Sequence, residues 1–366
     1  MEVGRILSAD SHVWEPPDLW EKRIDKRYAD RAPRLESAPE GDRYVCEGTV
    51  LTPLGSTQRR DAEGGGMAAE APPRFAEVIR PGSYDPVARL SDLERDGVQG
   101  EVIYPTVTLE MFGSPDAGLR RAVFRAYNDW IAEFCAARPR IYKALGVIDT
   151  DDVDAAVAEL ERCAKLGMAG ALVSIHPGDN RYVRPGFDRF WAAAESLNMP
   201  ISLHSGTDMK PVPFMEKSTG MLTSMFSIVQ TTLVDLVYGG VFARHPKLIV
   251  LSVENGAGWL PYMLQAMDVR VFLDESRKLR FGNEEPRRPS DYIRSNVRVT
   301  FMSDKLAMRM RDTCGLETLM WASDYPHGES TFPHSREIIA RQLNGIPAAE
   351  CDQLLFGNTQ KMYGFA

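Results

Sequence analysis

The sequence predicts a closed (β/α)8 barrel, an α/β TIM barrel, on three observations. Eight short β-branched runs alternate with longer segments of helical period, no G-x-G-x-x-G turn follows the first run, and 366 residues suffice for one large barrel. The missing glycine turn and the count of eight disfavour a doubly wound sheet.

The strands are expected, in order, at "GRILSADSHV", "VQGEVIYPT", "IYKALGVID", "AGALVSIH", "MPISLHSG", "KLIVLSVEN", "NVRVTFMSD" and "TLMWASDYP". Helical segments lie between them at "LRRAVFRAYNDWIAEFCAARP", "DVDAAVAELERCAKLG", "FDRFWAAAESLN", "TTLVDLVYGGVFARHP", "GWLPYMLQAMDVRVFLDES", "KLAMRMRDTCG" and "SREIIARQLNG". The second of these opens on Asp and closes on Gly, the start and stop residues of a helix.

Residues 1–366 read as one barrel domain with two insertions, at about 21–88 after strand one and at 274–292 around helix six. The first is rich in Pro, Gly and charge, and the second reads "DESRKLRFGNEEPRRPSDYI". Insertions at the carboxyl ends of barrel strands tend to be lids or substrate loops. Their Arg59, Arg60, Arg277, Lys278, Arg280, Arg287 and Arg288 offer either phosphate contacts or a solvated face.

Composition excludes some classes. A net charge of −8 disfavours non-specific nucleic-acid binding. No apolar run reaches the roughly 18 residues of a membrane span, and "MEVGRILSAD" lacks a signal peptide's layout, so a cytoplasmic protein is expected. The five scattered cysteines, Cys46, Cys135, Cys163, Cys314 and Cys351, form no C-x-x-C pair and read as buried thiols. The sequence leaves monomer and homo-oligomer open.

In a barrel the catalytic groups collect at the carboxyl ends of the strands. Strand one ends at Asp10 and His12, whose i, i+2 spacing points both side chains one way. Strand four ends at His176, strand five at His204, strand six at Glu254 and strand eight at Asp324, with His327 just behind. Asp10, His12, His204 and Asp324 converging on one mouth would repel or go unpaired without a cation, and imidazole with carboxylate suits Zn, Fe or Mn. Glu15 before Pro16 and His176 before Pro177 serve equally well as turn residues or as site residues.

"DSHVWEP", "SLHSG", the Gly-rich turn leading into "WLPY", "ASDYPH" and the closing "LLFGNTQKMYG" resemble the amidohydrolase-related barrel family of metal-dependent decarboxylases and hydrolases. The resemblance implies metal binding by Asp10, His12, His204 and Asp324. Decarboxylases of the family carry a histidine after strand six, where this chain has Glu254, and the bridging lysine of dinuclear hydrolases is absent from "SIH". With Glu254 added, the donors resemble those of a branch of TIM-barrel nonheme di-iron monooxygenases, which includes the hydroxylase of platensimycin and platencin biosynthesis.

The resulting expectation is a di-iron monooxygenase of secondary metabolism that hydroxylates an unactivated carbon of an acyl-CoA-type thioester, using an external electron donor. Two irons would be held among Asp10, His12, His204, Glu254, Asp324 and His176, with Glu254, His327 and Glu15 catalytic. Arg277, Lys278 and Arg280 would hold the adenosine phosphates. The alternatives are a mononuclear Zn or Mn decarboxylase or hydrolase with Glu254 as general base, and a barrel scaffold without activity.

Overall fold

The barrel strands are short and almost wholly buried, so each must be covered on both faces. A computed structural model, which describes residues 3–54, 72–177, 181–207, 226–272 and 287–366, shows how. Strands β1 (Leu7–His12), β5 (Gly100–Tyr104), β6 (Tyr142–Val147), β7 (Gly170–Val173), β8 (Ile201–His204), β9 (Val250–Val253), β10 (Val297–Phe301) and β11 (Leu319–Trp321) form one eight-stranded sheet in that order. Every pairing between its neighbours is parallel. All eight expected strands are present, in a nearly closed barrel.

The two ends of the sheet, β1 and β11, meet through a seam built differently from a ladder. The Asp324 N–H donates to the Asp10 carbonyl at 2.9 Å and the His12 N–H to the Tyr325 carbonyl at 2.5 Å. Three buried serine hydroxyls complete it: Ser323 Oγ lies 3.1 Å from both Ser8 Oγ and Ser11 Oγ, and the Ser323 N–H donates to Ser8 Oγ at 2.9 Å.

The outer helices start where the sequence supplies a cap. Asp116 accepts from the Gly118 and Leu119 N–H groups at the head of Ala117–Ala136, and Asp152 from those of Asp154 and Ala155 at the head of Val153–Lys165. Each such cap is worth about 1 kcal/mol. The expected helix at "KLAMRMRDTCG" is broken instead into Lys305–Arg309 and Arg311–Cys314.

The first insertion holds structure that its composition concealed. An antiparallel sheet of β2 (Arg34–Ala38), β3 (Gly41–Cys46) and β4 (Thr49–Pro53) lies within it. Tyr44 of β3 stacks on Trp14 and meets Trp20 and Phe75 edge-on, and its hydroxyl donates to the Glu15 carbonyl at 2.5 Å. The small sheet is thereby seated on the segment that leaves β1. Among the described residues, no helix is long and apolar enough to cross a membrane.

Candidate metal centre

Three strand ends, those of β1, β8 and β11, bring Asp10, His12, His204 and Asp324 together at the barrel mouth, all buried. The donor atoms of Asp10, His12 and His204 lie within 4.8 Å of one another, as do those of His12, Asp324 and His327. His12 Nε2 is 3.4 Å from Asp10 Oδ1 and 3.3 Å from Asp324 Oδ1. His204 Nε2 is 3.6 Å from Asp10 Oδ1 and 3.4 Å from Glu254 Oε2.

The other ring nitrogens fix the tautomers. His12 Nδ1 lies 2.6 Å from the Pro105 carbonyl and His204 Nδ1 2.7 Å from the Ser205 carbonyl. A carbonyl only accepts, so each Nδ1 carries a proton and each Nε2 is aimed at the carboxylates, where it offers a lone pair to a cation in the neutral ring. His12 Nε2, His204 Nε2, Asp10 Oδ1 and Asp324 Oδ1 are all sealed from solvent without a hydrogen-bond partner. Buried lone pairs facing one another are costly, and a cation between them removes that cost. The donor set therefore fits a divalent metal with N/O preference.

The backbone is strained to aim two of the carboxylates. Glu254 and Asp324, at the ends of β9 and β11, both adopt φ of 59°, a left-handed conformation that costs a non-glycine residue roughly 1–2 kcal/mol. The Glu254 N–H is held by Thr300 Oγ1 at 3.0 Å. The turn beyond it, "NGAGW", is fastened by Asp304, whose Oδ2 accepts from Ala257 N at 2.8 Å and Gly258 N at 2.7 Å. A Cβ at Gly258 would come within 3.1 Å of Asp304 Oδ1, so that close approach favours glycine.

Proton affinities within the cluster diverge. Burial, with His327 close by, pulls His12 down to about 4. Burial also opposes protonation of His204, but Asp10 and Glu254 outweigh it and raise this imidazole to about 9. Burial would raise Asp10, yet His12 and His204 hold it well below the usual carboxylate range. Glu254 is raised to about 8 by burial and by the Asp324 carboxylate. Crowded carboxylates leave the mouth short of positive charge.

His327 belongs to this site. Its Nδ1 is 2.9 Å from Asp324 Oδ1, its Nε2 is 3.0 Å from Thr106 Oγ1, and its ring centroid is 3.9 Å from that of His12. Burial opposes its protonation, but Asp324 outweighs that and raises it. Glu254 stands at the edge of the cluster, its side chain 35% exposed.

Glu15 does not join the cluster. Its carboxylate is fully buried and accepts from Val107 N at 2.9 Å, Thr108 N at 2.8 Å and Thr108 Oγ1 at 2.6 Å, with Thr106 N at 3.4 Å. It closes the head of the helical turn Val107–Glu110, and burial still raises its proton affinity. The catalytic role expected of Glu15 gains no support from this placement, because these donors engage its oxygens. His176 lies outside both donor groups, and its backbone is bracketed by Ser174 Oγ.

Arg59, Arg60, Arg277, Lys278 and Arg280 lie outside the described residues. Of the other two basic residues singled out, Arg287 donates to the Asp291 carbonyl and to Ser295 Oγ and covers the Tyr292 ring, while Arg288 precedes the helix Pro289–Asn296 and its N–H donates to Asp291 Oδ2 at 3.1 Å. Part of the second insertion is thus ordinary helix. Thr106, Thr300 and Asp304 were missed; only Asp304, an acid just past a strand, carried a visible signal.

Residues 94–365 match the amidohydrolase family. The chain belongs to that family. Among amidohydrolase-related proteins, the gamma-resorcylate decarboxylase of Rhizobium sp. (strain MTP-10005) is 29% identical over 262 residues, covering 67% of this chain and 76% of its own. An amidohydrolase from Mycobacterium avium subsp. paratuberculosis shares the fold with a TM-score of 0.78 at 18% identity, over 98% of this chain and 99% of its own. A 5-carboxyvanillate decarboxylase from Novosphingobium aromaticivorans, with bound manganese, does so with a TM-score of 0.70 at 18% identity, over 100% and 99%.

These findings overturn the expected oxidoreductase. The relatives are decarboxylases, so the di-iron monooxygenase, its acyl-CoA substrate and its external electron donor are withdrawn. Two irons are corrected likewise, since solved relatives hold manganese. The geometry offers a reason: both donor groups share the His12 nitrogen, and one lone pair serves one ion. The carboxylate that invited a second metal, Glu254, belongs to neither group.

Proposed function

We propose that the chain is a metal-dependent decarboxylase of a small aromatic carboxylic acid, using one manganese or zinc ion held by Asp10, His12, His204 and Asp324. The observation that carries this reading is the pair of imidazoles pinned through Nδ1, whose Nε2 atoms face two buried, unpartnered carboxylate oxygens. The decarboxylases among the relatives supply the reaction class.

When bound among Asp10, His12, His204 and Asp324, the ion would supply positive charge to an anionic substrate. The remaining work falls to the chain. Glu254, at the open edge of the cluster, delivers a proton to the ring carbon that carries the carboxylate. The bond from that carbon to the carboxylate then breaks, CO2 leaves, its electron pair restores the aromatic ring, and Glu254 recovers a proton from solvent. A carboxyl group here takes the part that the family resemblance gives to a histidine. His327, braced by Thr106, holds the His12 ring and Asp324 in place.

The test is CO2 release from a panel of hydroxybenzoates, including 2,6-dihydroxybenzoate and 5-carboxyvanillate, by manganese-loaded protein in D2O. The expected product carries one deuterium at the vacated carbon. Stoichiometric metal with no CO2 from any member of the panel would overturn the reading.

A further inference from the structure

The face of the barrel opposite the mouth holds a cavity of about 550 Å³. Its walls come from the amino ends of β8 to β11 and from the closing segment of the chain: Pro200 precedes β8, Ile249 precedes β9, Arg298 is the second residue of β10, and Glu317 precedes β11. That volume falls within the range of small-molecule sites.

Its charge is unbalanced. Lys247, Arg298 and Lys361 line it against one acid, Glu317. Among the described residues, none of these three cations has a carboxylate within ion-pair distance, although arginines elsewhere in the chain are commonly paired. Arg298 is half-buried, and only its Nη1 is used, donating to the carbonyls of Arg294, Ser295 and Val297. Its Nε and Nη2 donate to no described residue and are not sealed from solvent. Burial lowers its proton affinity, with Glu317 opposing only in part, so a contacting anion would relieve a real cost. Met199, Ile249 and Met362 give the cavity an apolar wall beside the charges.

We propose that this cavity binds an organic anion with two negative charges beside a small apolar body, the charges taken by Arg298, Lys247 and Lys361. Guanidinium suits a bidentate phosphate or carboxylate, and the lysines add point charges. The shared chemistry is a dianion, from a phosphate monoester or from a dicarboxylate. The site stands apart from the metal centre and does not depend on the reaction assigned to it.

The experiment is calorimetric titration of the metal-loaded protein with AMP, representing phosphate esters, and with succinate, representing dicarboxylates. Metal content is measured afterwards, so that withdrawal of metal at the mouth is recognised. One saturable equivalent is expected for one of the two, weakening as salt is added. Lys361→Gln should weaken it severalfold, and Arg298→Gln about tenfold or more. Because Arg298 also braces three carbonyls, Lys361→Gln, on an exposed side chain, is the variant that must show the effect with an unchanged melting temperature. Absence of binding by both probes, or binding equally tight in Lys361→Gln and Arg298→Gln, would overturn the proposal.

Discussion

Glu15 and Asp10 stand five residues apart in "ADSHVWEPP", both as fully buried carboxylates, and their surroundings are opposite. Glu15 has its oxygens matched by N–H and O–H donors from Thr106 to Thr108. Asp10 Oδ1 faces the Nε2 atoms of His12 and His204 at 3.4 and 3.6 Å and has no hydrogen-bond partner. A satisfied buried carboxylate ties the fold together, whereas an unsatisfied one among lone pairs marks a place made for something absent from the chain. Position in the sequence does not distinguish them; the donors brought by the loop after β5 do.

The contrast is broken most forcefully at the cluster. Asp324→Ala should abolish stoichiometric manganese or zinc binding and lower decarboxylation by roughly a thousandfold or more. Metal analysis and turnover check both, and the metal-free melting temperature should fall only by the small contribution of the Asp324–His327 pair. Glu15→Ala should do the reverse. Stranding the N–H groups of Val107 and Thr108 costs about 3 kcal/mol, read by urea unfolding, while one metal per chain is retained.

Smaller effects sharpen the comparison. Glu254→Gly should raise stability by about 1 kcal/mol, since glycine accepts a positive φ freely, and should remove turnover with metal still bound. A thermal melt beside a metal assay separates the two effects. Thr108→Val deletes one hydroxyl donor to Glu15 and should cost about 1 kcal/mol without changing kcat.

The same contrast explains what could be read from the residues. Strand identity was legible throughout, because runs such as "KLIVLSVEN" and "IYKALGVID" carry their own local pattern. Asp10, His12, His204 and Asp324 were legible because a barrel places its strand ends together. His176 satisfied the same strand-end rule and Glu15 lay just behind it, but the surroundings of both are set by loop geometry, which no spacing encodes. The sheet β2–β4 was hidden by short, charged strands such as "RLESA". Glu254 could be placed at the end of strand six, but an acid beside a metal-type cluster reads equally as ligand or as proton carrier, and spacing does not choose between them.

The serine seam between β1 and β11 has a consequence for how the protein is made. Asp10 and His12 lie on one side of that seam and Asp324 on the other, so the first and last strands each bring part of the ion's cage. During synthesis the early half must wait, unclosed, until the ribosome has delivered more than three hundred further residues. An ion held by all four side chains would be captured late and would join the two edges of the barrel. A chain cut short before Asp324 would keep only Asp10, His12 and His204 of the four grouped side chains, on a sheet still open at one edge.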